Sequence, residues 1–128
     1  MQSLKHLTER KYNLMQTMIK VYVCSPLTGD IMQNIENARK YSRYIVLLGK
    51  IPITPHIYFT QFLDDTKIEE RKLGMRMGLE LLDDCDLMYV FGKKISDGMQ
   101  KEIDYWTNTK KHGITYIKRF DLKKLQPK

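Results

Sequence analysis

The sequence predicts an α/β fold in which helices cover both faces of a parallel sheet. Two observations predict it: short apolar, β-rich segments alternate with segments of helical period, and turn residues separate them. Strands that alternate with helices are joined by right-handed crossovers and form parallel sheets. With 128 residues, 42% of them hydrophobic, the chain is long enough for one domain with a buried core.

The first predicted strand and helix are joined by a tight turn. Residues 20–24 are apolar and end at residues 25–30, where turn-forming residues are concentrated. Apolar residues then recur at helical spacing over residues 31–48. Asp30 is the expected N-cap of this helix and Gly49 its C-terminal stop.

A second strand and helix follow. In the short strand over residues 51–53, Pro52 indicates an edge position, because proline cannot donate to a sheet ladder. Residues 54–63 form an aromatic, proline-bearing loop that we expect to be ordered. Residues 64–66 offer N-cap side chains for a helix over residues 67–84, where Gly74 and Gly78 permit another backbone to approach.

The last third of the chain completes the pattern. Residues 86–91 are almost continuously apolar, which is typical of a central parallel strand. A loop over residues 92–98 precedes a helix over residues 99–111, and residues 114–117 form the last strand. One face of that helix is expected to be buried and carries Met99, Ile103 and Trp106.

The net charge of +7 is carried by the two ends of the chain. Residues 1–20 hold four basic residues and one acidic, and residues 118–128 hold five and one, which accounts for the whole excess. We therefore divide the chain into an N-terminal extension (1–19), a domain (20–118) and a basic tail (119–128). Solvated basic ends explain the charge better than nucleic-acid binding does, since basic and aromatic residues are not interleaved.

Composition also argues against several other classes of protein. No apolar run reaches the roughly 20 residues of a membrane span, and the N-terminus lacks a signal peptide, so we expect a cytoplasmic location without membrane association. Cys24 and Cys85 form no Cys-x-x-Cys pair and have no histidine at ligand spacing. We expect them to be buried free thiols, and we expect neither a metal nor a cofactor.

Ligands of an open parallel sheet bind beyond the carboxyl ends of its strands. The turn after the first strand offers Ser25, Pro26, Thr28 and Gly29 to an anion such as phosphate at a helix N-terminus. An ordinary capped turn explains the same residues equally well. His56 follows the second strand and is either a ligand contact or a structural hydrogen-bonding group. The nearby aromatic residues suit a base-stacking wall or a hydrophobic anchor: Tyr58, Phe59 and Phe62.

The turn after the third strand is more informative. Ser96 or Asp97 can cap the next helix, and Gly98 allows a ligand to approach the backbone beside Met99. Glu102 is expected in the first helical turn, as a nucleophile, base or ribose-hydroxyl acceptor. Spacing alone favours a simpler role, in which an acidic first-turn residue complements the helix dipole.

Four segments resemble, in order, motifs of the nucleoside 2-deoxyribosyltransferase superfamily, which includes the 2′-deoxynucleoside 5′-phosphate N-hydrolases. They are Lys20-Val-Tyr-Val-Cys-Ser-Pro-Leu-Thr-Gly29, Gly49-Lys-Ile-Pro-Ile53, Leu81-Leu-Asp-Asp-Cys-Asp-Leu-Met-Tyr-Val90 and Ser96-Asp-Gly-Met-Gln-Lys-Glu102. The resemblance covers residues 20–117 and is strongest to small phage and bacterial members without an assigned activity. It implies a Rossmann-like (flavodoxin-like) three-layer sandwich with a parallel sheet of four to five strands, in a homodimer or higher homo-oligomer.

The resemblance also implies an activity, namely cleavage or transfer at the N-glycosidic bond of a (deoxy)nucleoside or its 5′-phosphate. Glu102 matches the family's nucleophile and Ser96 its phosphate-contacting serine. Tyr22 and residues 25–29 match its strand-one loop.

One family position differs in this chain. Gly78 stands where the family commonly has an aspartate, and the segment before Glu102 also departs from the family's glycine–threonine pattern. Asp97 or Glu80 could substitute for the missing acid. The alternative is a module that binds a nucleotide or nucleotide-derived signal without turning it over. A third option is a purely structural or host-interaction protein.

Overall fold

A computed structural model describes residues 18–110, 112–118 and 122. Within them, four strands form one parallel sheet in the order β2-β1-β3-β4. The strands are β1 (Lys20–Cys24), β2 (Ile51–Ile53), β3 (Leu87–Phe91) and β4 (Thr115–Ile117). The predicted edge position of Pro52 is confirmed, since β2 pairs only with β1 in this part of the chain.

The strand order places a topological switch point between β1 and β3. The chain leaves β1 towards β2 on one side, and leaves β3 towards β4 on the other. Val21 pairs with Leu87 and Cys24 with Val90, so β1 and β3 end side by side. Ligands of open α/β sheets bind outside the carboxyl ends of strands at such a point.

Four helices connect the strands: α1 (Ile31–Leu47), α2 (Pro55–Phe59), α3 (Ile68–Asp83) and α4 (Asp97–Thr109). Helix α1 covers one face of the sheet, where Val21, Val23, Tyr89 and Phe91 pack with Tyr44 and Ile45. Helices α3 and α4 cover the other face, where Tyr22, Cys24, Met88 and Val90 pack with Leu82, Ile103 and Trp106. The described residues thus form the predicted three layers.

Local sequence signals explain most of the boundaries. The Asp30 side chain accepts the Gln33 N–H at 3.2 Å, which confirms the N-cap of α1. Gly49 follows α1 at φ +79°, a backbone conformation that glycine adopts without strain. Helix α4 begins at Asp97, two residues earlier than predicted, because Ser96 accepts the Met99 N–H and caps it.

The segment between β2 and α3 differs from the prediction. Part of the expected loop is the short helix α2, which begins at Pro55, where a missing N–H is harmless. The N-cap of α3 is Lys67, which makes no side-chain cap. The prediction of a cap from residues 64–66 was therefore wrong, since Asp64 instead accepts the N–H and hydroxyl of Thr66 in a local turn.

The two helical glycines of α3 make room for side chains and not, as predicted, for a backbone. A Cβ added at Gly74 would lie 3.5 Å from Leu63 Cδ1. One added at Gly78 would lie 3.4 Å from Tyr22 Oη and 3.9 Å from Pro55.

Several other expectations concern the whole chain. The N-terminal extension and the basic tail lie outside the described residues, apart from residues 18, 19 and 122. Cys24 and Cys85 are buried free thiols, as expected. Among the helices of the described ranges, none has both the length and the apolar character that a membrane crossing requires.

Candidate functional site

An open cavity of about 130 Å³ lies between the carboxyl end of β1, helices α2 and α3, and the first turns of α4. A single water needs roughly 10–15 Å³ of such space, so the cavity is large enough for a small organic ligand. The turn after β1 and the turn before α4 both contribute to its wall. The two predicted loops therefore meet at one site.

Tyr22 and Glu102 form a hydrogen-bonded pair that lines the cavity. Tyr22 lies on β1 with its side chain fully buried, and its Oη donates to Glu102 Oε2. Glu102 lies in the second turn of α4, so its predicted first-turn position was wrong because the helix begins at Asp97. Gly78 on α3 leaves space beside the Tyr22 hydroxyl, which lies 3.4 Å from the position of an added Cβ.

Burial controls the ionisation of this pair. Desolvation raises the pKa of Glu102 from 4.5 to about 7, although side-chain hydrogen bonds from Tyr22 and Cys24 oppose the rise. Desolvation and the neighbouring carboxylate raise the pKa of Tyr22 well above its usual value. Tyr22 therefore remains a hydrogen-bond donor, while Glu102 changes its charge near neutral pH. Perturbed carboxyl groups in clefts are candidates for chemistry.

Ser25 brings an unpartnered hydroxyl to the same cavity. The residue is 1% exposed, and its Oγ has no hydrogen-bond partner among the described residues. A buried hydroxyl left in this state costs about 1–3 kcal/mol, which a bound ligand can recover. The Ser25 carbonyl is occupied, since it accepts a 2.8 Å hydrogen bond from His56 Nε2.

His56 holds the turn after β1 against α2. Burial lowers its pKa, so the imidazole is neutral at neutral pH and its Nε2–H donates to the Ser25 carbonyl. The residue also lines the cavity. His56 thus has the predicted structural hydrogen bond. Because it also lines the cavity, a contact with a ligand stays a prediction.

The turn before α4 supplies another part of the cavity wall. Ser96 Oγ accepts the Met99 N–H at 3.2 Å, and Ser96, Gly98 and Met99 all line the cavity. An added Cβ at Gly98 would meet only Ser96 Oγ, at 4.0 Å, so its backbone is open to a ligand. The first N–H groups of a helix have no intrahelical acceptor, which suits them to an anion.

The structure brings most of the predicted site residues together and leaves three outside. Tyr22, Ser25, Thr28, His56, Ser96, Gly98, Met99 and Glu102 line the cavity. Pro26 packs against Gly92, where an added Cβ would lie 3.3 Å from Pro26 Cδ. Gly29 shapes its turn at φ +100°, and Asp97 is exposed at the first position of α4. Neither Asp97 nor the exposed Glu80 lines the cavity, so neither acts there as the substitute acid considered from the sequence.

Of the three aromatic residues that follow β2, one lies in the cavity wall and two lie outside it. Phe59 lines the cavity, whereas Tyr58 and Phe62 are both 58% exposed. The three rings contact one another edge to face, with centroids 5.1–6.0 Å apart. Only Phe59 is therefore placed to stack on a ligand.

Four charged cavity residues were not singled out from the sequence: Asp65, Glu70, Arg71 and Lys101. A signal was present for Arg71, because it lies three residues before Gly74 and seven before Gly78, on the same helix face. Lys101 precedes Glu102 but shows no spacing signal. In the described ranges, no group of three or more side chains could hold a metal ion.

Comparison with known proteins places the chain in a family. The model described as "Domain of unknown function (DUF7768)" matches residues 19–117. The chain belongs to the DUF7768 family. No curated protein matches the DUF7768 chain.

One solved structure supports the fold of the DUF7768 chain. It is a 2-deoxyribosyltransferase from the bacterium Bacillus psychrosaccharolyticus, described as a biocatalyst for nucleoside synthesis. The TM-score is 0.52 at 20% sequence identity, over 66% of this chain and 62% of that one. The DUF7768 chain thus spans less than two thirds of the relative, and the likeness confirms the α/β, Rossmann-like fold.

Proposed function

We propose that the DUF7768 chain binds a nucleoside or its 5′-phosphate in this cavity and cleaves or transfers its N-glycosidic bond, with Glu102 as the nucleophile. The observation that carries the proposal is the Glu102 carboxyl group, hydrogen-bonded by a buried tyrosine and open to a cavity beside a sheet switch point. The distant likeness to a 2-deoxyribosyltransferase supports the same substrate class.

The chemistry follows from the charge that develops at the sugar. A Glu102 oxygen forms a bond to the anomeric carbon as the carbon–nitrogen bond breaks, and the bonding electrons leave with the base. A proton from solvent or a nearby acid neutralises the departing base. Water or a second base then displaces Glu102, which gives hydrolysis or transfer.

Tyr22 prepares the nucleophile for this reaction. Its hydroxyl donates to one Glu102 oxygen and stabilises the ionised form, which leaves the other oxygen for attack. At a pKa of about 7, a substantial fraction of Glu102 is ionised at neutral pH. The cavity therefore supplies the charged carboxylate in that fraction of the molecules.

The remaining wall residues suit the rest of a nucleotide. Ser25, Thr28, Ser96 and Gly98 present hydroxyl and backbone donors from two turns, which suit a 5′-phosphate or sugar hydroxyls. Phe59 also lines the cavity and offers an aromatic surface for a base.

Release of free base tests the proposal directly. The purified chain is incubated with the four 2′-deoxynucleosides and their 5′-monophosphates, and free base is quantified by chromatography. Glu102→Ala is expected to lower the rate by about 10⁴-fold or more, as loss of a nucleophile does. Glu80→Gln changes an exposed glutamate outside the cavity and should keep the wild-type rate. No release by the wild type, or equal release by Glu102→Ala, refutes catalysis.

Gly78 favours a second candidate, a module that binds the nucleotide without cleaving it. No carboxyl group stands at this position, where the 2-deoxyribosyltransferase superfamily commonly has an aspartate, and Asp97 and Glu80 lie outside the cavity. Such a module would show ligand-dependent thermal stabilisation with no free base. Stabilisation with base release that depends on Glu102 would exclude it.

A further inference from the structure

Two cations line the cavity from two different helices. Arg71 lies in the first turns of α3 and Lys101 in the first turns of α4, and both side chains contribute to the wall although both residues are largely exposed. They therefore lie at the rim of the cavity. Neither forms an ion pair with any residue that the structure describes.

We propose that Arg71 and Lys101 form an anion site at this rim, and that the ligand is a phosphate monoester of a nucleoside in preference to the uncharged nucleoside. The inference rests on the proposed nucleoside site and adds the charge of its ligand. An arginine and a lysine that line one cavity from two helices suit a phosphate, because the guanidinium binds two oxygens at once and the ammonium supplies a point charge.

The neighbouring carboxyl groups that the structure describes form no ion pair with these two cations. Glu70 Oε1 accepts the Asp64 N–H at 3.1 Å, and its Oε2 lies 3.9 Å from Lys67 Nζ. Both Glu70 oxygens thus have partners other than Arg71. Asp65 also lines the cavity, and its charge acts on His56. The partly ionised Glu102 lines the cavity as well, but among the described residues no carboxylate forms an ion pair with Arg71 or Lys101, so both cations can bind an anionic ligand directly.

The interior of the same cavity offers a further donor. Ser25 Oγ is buried and has no hydrogen-bond partner among the described residues, so it can donate to a ligand oxygen. This hydroxyl is an independent sign of a missing polar ligand, because buried polar groups in native proteins are rarely left without a partner.

Charge-removing variants test the rim against a matched control. Arg71→Gln and Lys101→Gln each remove one rim charge, and Lys72→Gln removes one charge from an exposed neighbour on α3 that does not line the cavity. Each is made in a Glu102→Gln background, which prevents turnover during calorimetric titration. The probes are the 2′-deoxynucleosides, their 5′- and 3′-monophosphates, and inorganic phosphate.

We expect a monophosphate to bind about tenfold or more tightly than its nucleoside, with affinity that falls as salt rises. Each rim variant should weaken monophosphate binding about tenfold and leave nucleoside binding unchanged, while Lys72→Gln changes neither. If the rim variants weaken the binding of only one of the two esters, 5′ or 3′, that ester identifies the position of the phosphate.

The opposite results separate this inference from the proposed function. Equal binding of nucleosides and monophosphates, or rim variants that behave like Lys72→Gln, overturns the anion site and leaves the nucleoside site standing. If no nucleoside or monophosphate binds and the wild type releases no base, both proposals fail together.

Discussion

Replacing Glu102 with glutamine should stabilise the fold above neutral pH. Glu102 ionises inside a cavity that strips water from its carboxyl group, and this raises its pKa from 4.5 to about 7. A carboxyl group whose pKa is raised in the folded state binds protons more tightly there than in the unfolded chain. Its contribution to stability is therefore complete below pH 4.5 and is lost as the pH rises through about 7.

The size of the effect follows from the same two pKa values. A tenfold change in proton affinity corresponds to about 1.4 kcal/mol, so full ionisation of Glu102 costs the folded state about 3 kcal/mol at pH 8. At pH 5 the cost is about 1 kcal/mol, because the group is mostly protonated in the fold. Glutamine never ionises and can still accept the Tyr22 hydrogen bond.

Urea denaturation at pH 5 and pH 8 measures the difference. The unfolding free energy of Glu102→Gln should exceed that of the wild type at pH 8, and the gap should narrow by about 2 kcal/mol at pH 5. Glu80→Gln, on an exposed face of α3, is the matched control and should follow the wild-type values. A gap of the same size at both pH values would refute the reasoning, because it would show that Glu102 stays ionised without cost.

Three further substitutions test the site and the core. Tyr22→Phe removes a hydrogen bond to a charged group worth about 1.5–3 kcal/mol, so the acidic limb of the pH–rate profile for base release should shift upward by about 1–2 pH units. Trp106→Ala removes a fully buried ring and should lower the urea unfolding free energy by about 3–5 kcal/mol. Gly49→Ala forces a side chain into φ +79° and should lower the same free energy by about 1–2 kcal/mol, with no change in ligand affinity.

The regular elements of this fold could be predicted from the sequence because their signals are local. Residues 21–24 and 87–91 of two neighbouring strands are apolar throughout, and only a sheet covered on both faces buries such segments. Asp30 and Gly49 bound α1 through interactions within one turn. Helix α2 was missed because its five residues are too few to show a helical period.

The candidate site was predictable only in part. Ser25 and Ser96 follow adjacent parallel strands, so the topology alone brings their turns together. The direction in which a side chain leaves such a turn depends on packing, and for this reason Asp97 faces solvent while Glu102 faces the cavity. Arg71 and Lys101 line the cavity from two helices, and the sequence does not determine the relative rotation of those helices.

Gly78 connects the packing of the site with its chemistry. Glycine within a helix is less favourable than alanine by about 1 kcal/mol, so its presence in α3 calls for a local reason. The Tyr22 hydroxyl supplies one, because it lies 3.4 Å from the position of an added Cβ, against α3. Alanine would fit at ordinary contact distance, whereas a longer side chain would displace the hydroxyl from Glu102. The space beside Glu102 on this face of α3 is therefore occupied by a phenol that stays protonated, and an acid at position 78 would have to displace it.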